Sequence, residues 1–216
     1  MKRLVIAFAC FAALLSAPAT AADQEFEVWF NPRATTAIGD KTDVQFESLN
    51  QFRKASDGVD VYSFRLWLIR KLDDAVSVQI GAEQRINDGG EDEIRLAQQV
   101  SLRSGVFQAR ARIEQRFVNN SGRMGLRARI RGGFSIPLDD RKRWSGFGDV
   151  ESFLTIRSTG TGGDDGLTGL RGRAGISHKF SDTLSASIAY QRQQDIRSNR
   201  PDRVAHAPVI GLDFSF

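Results

Sequence analysis

The residues of this 216-residue chain best equipped for chemistry are arginines placed at every second position. Arg110 and Arg112 are followed by Arg127, Arg129 and Arg131, and later by Arg171 and Arg173. In an extended chain, residues two apart share a face. Each set therefore projects a row of guanidinium groups, planar forks that suit carboxylates and phosphates. Arginine outnumbers lysine 24 to 6. Two uses compete for such rows. Glu83, Glu93, Glu114, Asp149 and Glu151 fall on the same parity as the arginines, with Arg116 and Arg123 beside them. Facing ladders of this kind can neutralise one another, because an unpaired buried charge is costly. Alternatively, the positive excess around residues 110–131 lines a pore and favours anions, with Arg110, Arg112, Arg127, Arg129 and Arg131 as its candidate binding charges.

Other chemistry finds few parts. His178 keeps company with Ala174 and Ile176, and His206 with Ile210 and Leu212. Both fall on the apolar parity, away from the charged rows and badly placed to activate a nucleophile. Neither an HExxH pair nor an alternating-carboxylate calcium loop is present, and the one cysteine, Cys10, lies near the start of the chain. No catalytic residue, metal or cofactor is therefore expected. The glycine-rich run Gly160 to Gly166 reads as a flexible outer loop. Arg197, Arg200 and Arg203 read as a basic outer loop able to meet lipopolysaccharide phosphates.

The elements that must position the arginines are strands. From Glu25 onward, apolar and polar residues alternate over segments of about ten residues. Tyr62, Phe64, Leu66 and Leu68 alternate with Ser63, Arg65 and Trp67; Phe107, Ala109, Ala111 and Ile113 alternate with Gln108, Arg110, Arg112 and Glu114. Eleven candidate strands follow, near 25–34, 41–53, 59–70, 75–87, 92–102, 105–117, 122–136, 145–157, 168–180, 184–196 and 204–216. Short turns alternate with longer connections, the loop asymmetry of an outer-membrane barrel. The connection from Pro137 to Arg143 breaks the pattern, being long on the short side. With both termini on one side of a membrane the count must be even, so a single antiparallel transmembrane β-barrel of ten or twelve strands is expected.

The chain begins with Lys2 and Arg3, an apolar run from Leu4 to Leu15, and Ala19-Thr20-Ala21. This is the layout of a secretory signal peptide, residues 1–21, with the barrel occupying 22–216 after Sec-type export. The run is too short to span a bilayer as a helix. Its loss lowers the net charge from +4 to +2, with 28 basic against 26 acidic residues. A nucleic-acid partner is not expected, despite a pI near 9.6. The hydrophobic fraction of 41% and mean hydropathy of −0.31 suit a barrel, whose strands need an apolar residue only at every second position. The end of the chain, with Gly211, Leu212, Phe214 and a terminal Phe216, carries the pattern that barrel-assembly machinery reads as a last strand.

Glu27-Val28-Trp29, Phe52-Arg53, Glu93-Ile94-Arg95, the run Arg112 to Phe117, Arg127 and Arg129 before Pro137, and Glu151 together resemble the domain of unknown function 2490 family. The resemblance implies an outer-membrane barrel and brings no activity or site residues with it. The sequence thus leads to a monomeric, non-enzymatic barrel in the outer membrane of a Gram-negative bacterium, in contact with outer-membrane lipid and lipopolysaccharide. Its role would be that of a narrow channel favouring anions. The alternatives are a barrel enzyme acting on lipid or lipopolysaccharide, and a soluble periplasmic β-sandwich or lipocalin-like binder that buries the apolar parity.

Overall fold

A computed structural model describes residues 22–53 and 60–216. The expected signal peptide lies outside the described residues. Eleven strands are present: β1 (Asp23–Gly39), β2 (Thr42–Arg53), β3 (Val61–Lys71), β4 (Val76–Asn87), β5 (Glu93–Ser104), β6 (Phe107–Val118), β7 (Gly125–Pro137), β8 (Trp144–Arg157), β9 (Gly166–Lys179), β10 (Leu184–Asp195) and β11 (Arg203–Ser215). Each pairs antiparallel with its neighbour in sequence, and β1 closes the barrel against β11. Tight turns follow β1, β3, β5 and β9, and a longer connection follows β7. In one of the tight turns Gly105 takes φ +57°, a left-handed conformation that a β-carbon would strain.

The expected even strand count is wrong. The closing pair β1 and β11 is parallel, with Asp23 opposite Arg203 and Thr35 opposite Ser215. Closure requires only that each edge strand find hydrogen-bonding partners, and the 17 residues of β1 supply them to both β11 and β2. The start of β1 consequently lies at the long-loop rim and the end of β11 at the opposite, short-turn rim. The premise that both termini share a side was the error, since all eleven alternating segments form strands.

The barrel is polar inside and apolar outside. Phe64, Leu66, Ile80, Ile94, Ile130 and Ile188 are exposed on its outer face, whereas Glu27, Glu114 and Glu151 are among the most deeply buried side chains. A soluble sandwich or lipocalin-like fold would need the reverse, so that reading does not hold. A charged interior and an apolar exterior are what a strand barrel requires when its solvent is lipid.

Candidate functional site

All five candidate arginines stand on the inner wall. Arg110 and Arg112 come from β6, and Arg127, Arg129 and Arg131 from β7; the register sets Arg110 beside Arg131 and Arg112 beside Arg129. Like charges side by side would repel, and carboxylates of β6 and β8 separate them. Glu114 accepts from Arg129 at 2.7 Å and Arg127 at 2.6 Å, and lies 3.3 Å from Arg112. Glu151 on β8 accepts from Arg129 at 2.7 and 3.1 Å, pairs with Arg110, and lies 3.5 Å from Arg171. Asp149 takes Arg131 at 2.6 Å and Arg173 at 3.0 Å. Seven arginines thus gather on three carboxylates, a cluster with four positive charges in excess.

Arg129 is the keystone of this wall. It bridges Glu114 and Glu151, and its guanidinium lies 4.8 Å from the centre of the Phe153 ring. On the opposite side Arg65 donates to Glu47 and Glu83, each at 2.8 Å, and Glu47 also accepts the Trp67 indole N–H at 3.0 Å. Arg112 crosses over the Trp67 ring, 4.7 Å from its centre. Arginine held between a carboxylate and an aromatic face keeps a fixed direction, because both the fork and the ring constrain its plane.

Trp67 and Phe153 are residues of the candidate site that the arginine spacing alone does not reveal. Each occupies the charged parity of its strand opposite a glycine. A β-carbon on Gly81 would come within 2.4 Å of the Trp67 ring, and one on Gly169 within 3.1 Å of Phe153. These pairings, Trp67 with Gly81 and Phe153 with Gly169, give the rings room to lie against the wall. The usable hint is an aromatic residue among charged ones, facing a glycine in the next strand.

Two other sequence expectations, for Arg203 and Arg123, meet the structure differently. Arg203, read as part of a basic outer loop, points inward and binds Glu25, Glu27 at 2.6 Å and Asp195 at 3.1 Å. Through Glu27, which also takes Arg53 at 2.6 Å, it fastens β11 and β2 to β1. Arg123 belongs to a loop and donates to the carbonyls of Ser158 and Gly160 at 2.8 and 3.0 Å. His178 and His206 lie on the outer face, His178 against Trp144 and His206 beside Tyr190. The C-terminal motif ends at the short-turn rim, where the exposed Phe216 donates its N–H to Thr35 at 2.9 Å.

The lumen encloses a cavity of about 1540 Å³, lined by residues of both rims, from Asp73 and Asp74 at the short turns to Asp164 and Arg200 at the long loops. Among the described residues lining it, 19 are Arg or Lys and 12 are Asp or Glu. The positive excess of the β6 to β9 wall therefore extends to the lumen as a whole.

At the long-loop rim Asp164 accepts the Ser198 N–H at 2.9 Å, tying the β8–β9 loop to the β10–β11 loop. This hydrogen bond, with Arg200 and Arg197 nearby, holds the Asp164 carboxyl below its ordinary range. A carboxylate lowered in this way supports the tie fully above its free pKa of about 3.9 and loses it as the pH falls through the depressed value. Spin labels at Thr161→Cys and Asn199→Cys, in residues 22–216 that contain no native cysteine, should give a narrow distance distribution at neutral pH that broadens only once the pH falls below the free carboxylate value of about 3.9. Asp164→Ala should broaden it at every pH. A distribution unchanged down to about pH 2 would show that the tie does not depend on the Asp164 charge.

No curated protein matches the sequence. The structure is similar to the solved NanC porin, with a TM-score of 0.54 and 12% identity over 88% of this chain and 99% of that one. It is also similar to the KdgM porin, with a TM-score of 0.50 and 10% identity over the same shares. At these identities the likeness establishes the fold alone, a closed all-β barrel. The sequence itself matches a family model over residues 26–205, and the chain belongs to that family, described as protein of unknown function (DUF2490).

Proposed function

We propose that this protein is an integral barrel of the Gram-negative outer membrane, delivered by Sec-type export and inserted by the barrel-assembly machinery. In this reading it works as a monomer, in contact with outer-membrane lipid and lipopolysaccharide, and forms a narrow channel that favours anions. The observation that carries the proposal is the lumen cavity, lined from one rim to the other and carrying 19 basic against 12 acidic residues. Rings of Arg and Lys select anions because a permeating anion exchanges part of its hydration for guanidinium contacts, while cations are repelled. The carboxylates hold the arginines upright and keep the interior from being an uncompensated field of positive charge. Both histidines lie on the outer face, so no observation favours the enzyme reading over the channel.

Two tests apply. Sodium carbonate extraction of envelopes should leave the mature protein in the membrane pellet, and recovery in the soluble fraction would overturn the proposal at its root. Liposomes loaded with a chloride-sensitive dye should then exchange chloride faster when the purified protein is inserted. Flux equal to that of empty liposomes would contradict the channel reading while leaving the membrane reading intact.

A further inference from the structure

The longest connection on the short-turn rim, between Pro137 of β7 and Trp144 of β8, plays no part in the lumen. It carries three consecutive cations, Arg141, Lys142 and Arg143, all exposed. The turn is pinned in place. The Leu138 N–H donates to the Trp144 carbonyl at 2.8 Å, the Lys142 N–H to the Asp139 carbonyl at 3.0 Å, and the Lys179 N–H to the Arg143 carbonyl at 2.9 Å. Lys142 itself holds φ +53°, a left-handed position that is uncommon for a residue with a β-carbon. Nearby carboxylates are largely engaged: Asp139 accepts the Trp144 N–H at 2.7 Å, and Asp182 holds Lys179 at 2.7 Å. Asp140 stands exposed beside the cations, which still outnumber it three to one.

Immediately next to these cations, on the outer face, Trp144 packs against His178 with ring centres 4.2 Å apart, and His178 meets Phe180 edge-on at 4.7 Å. Trp144 and Phe180 are 44% and 61% exposed. An aromatic group at a strand end on the apolar face is what anchors a barrel at the boundary between acyl chains and headgroups. Other turns of this rim differ. The β3–β4 turn carries Asp73 and Asp74, and the β5–β6 turn, Gly105 and Val106, is uncharged.

We propose that the β7–β8 turn, with the Trp144, His178 and Phe180 face beneath it, is a docking site for an anionic phospholipid headgroup in the leaflet that meets the short-turn rim. The rings take the glycerol and upper acyl region, and the three cations take the phosphate and its net negative charge, where Arg offers paired N–H donors. The inference rests on the membrane reading given above.

The protein supplies its own reporter. Its three tryptophans are Trp29, Trp67 and Trp144. Trp29 and Trp67 are 3% and 1% exposed within the barrel, which leaves Trp144 as the one facing lipid. Fluorescence of the full mature protein in bilayers is therefore expected to be quenched by brominated lipid through Trp144, and Trp144→Phe should remove most of that quenching. Brominated phosphatidylglycerol should compete for the site about fivefold or more better than brominated phosphatidylcholine, the worth of a single basic side chain at a charged membrane surface. The variant R141Q/K142Q/R143Q should lose that preference while keeping its heat-modifiable barrel mobility. If the variant does not fold, the wild type at about 0.5 M NaCl should lose the preference instead, because screening weakens exposed charge contacts. Equal quenching by the two lipids in the wild type at low salt, or a preference that survives both the triple substitution and high salt, would overturn the headgroup site. Absence of quenching by either lipid would instead refute the membrane reading.

Discussion

Arg129→Ala should lower the unfolding free energy of the barrel by about 3–5 kcal/mol, whereas Arg131→Ala should cost less than about 1 kcal/mol. Both are arginines of the same strand, two residues apart, and both face the lumen. The difference lies in what each holds. Arg129 is 7% exposed and joins Glu114 to Glu151, so its removal leaves two buried carboxylates short of their shared cation and uncovers the Phe153 ring. Arg131 is 28% exposed and holds Asp149 alone, and Asp149 keeps Arg173 when Arg131 is gone. Arg129→Lys should recover less than half of the loss, since one ammonium cannot reproduce a fork that spans two carboxylates. Urea unfolding in detergent micelles, followed by the fluorescence of the enclosed Trp29 and Trp67, gives the comparison directly. Equal losses for Arg129→Ala and Arg131→Ala would show that the network has no keystone.

Reversing charge in the lumen should sharply weaken anion preference, provided the substituted residues are ones the barrel can spare. Arg110→Glu with Arg173→Glu meets that condition. The two side chains are 19% and 24% exposed to the lumen, and each leaves its carboxylate a remaining partner: Glu151 keeps Arg129 and Arg171, and Asp149 keeps Arg131. The residues lining the lumen then go from 19 basic and 12 acidic to 17 and 14, so the positive excess falls from seven to three. The anion-to-cation permeability ratio should fall toward one without reversing, because selectivity by charged rings follows the net charge along the path. A ratio unchanged in the double variant, in a protein that still conducts, would mean that these arginines serve the structure alone and that ions pass elsewhere.

The alternation of apolar and polar residues made the strands and their inward faces legible, because in a barrel the two faces meet two different solvents. It placed Arg110, Arg112 and Trp67 inside and Phe64 and Leu66 outside from parity alone. It could not supply the pairing across the closing seam. The even-count argument treats the first and last strands as antiparallel neighbours, but β1 has the length and the free edge to accept β11 in parallel. Nor could it assign arginines to carboxylates. Which carboxylate Arg129 reaches depends on strand stagger around the barrel, and its partners Glu114 and Glu151 lie 15 and 22 residues away. Arg203 was misread for a related reason: near the start of a strand, parity alone decides whether a cation belongs to the loop or to the lumen, and the inward-facing Glu27 draws it inside.

The measurement that bears most directly on the channel account is the zero-current potential of the purified wild-type protein in a planar bilayer with potassium chloride more concentrated on one side. An excess of lumen arginine over carboxylate predicts stepwise conductance and a potential displaced toward the chloride equilibrium value. Absence of conductance after verified insertion, or a potential displaced toward the potassium value, would contradict it.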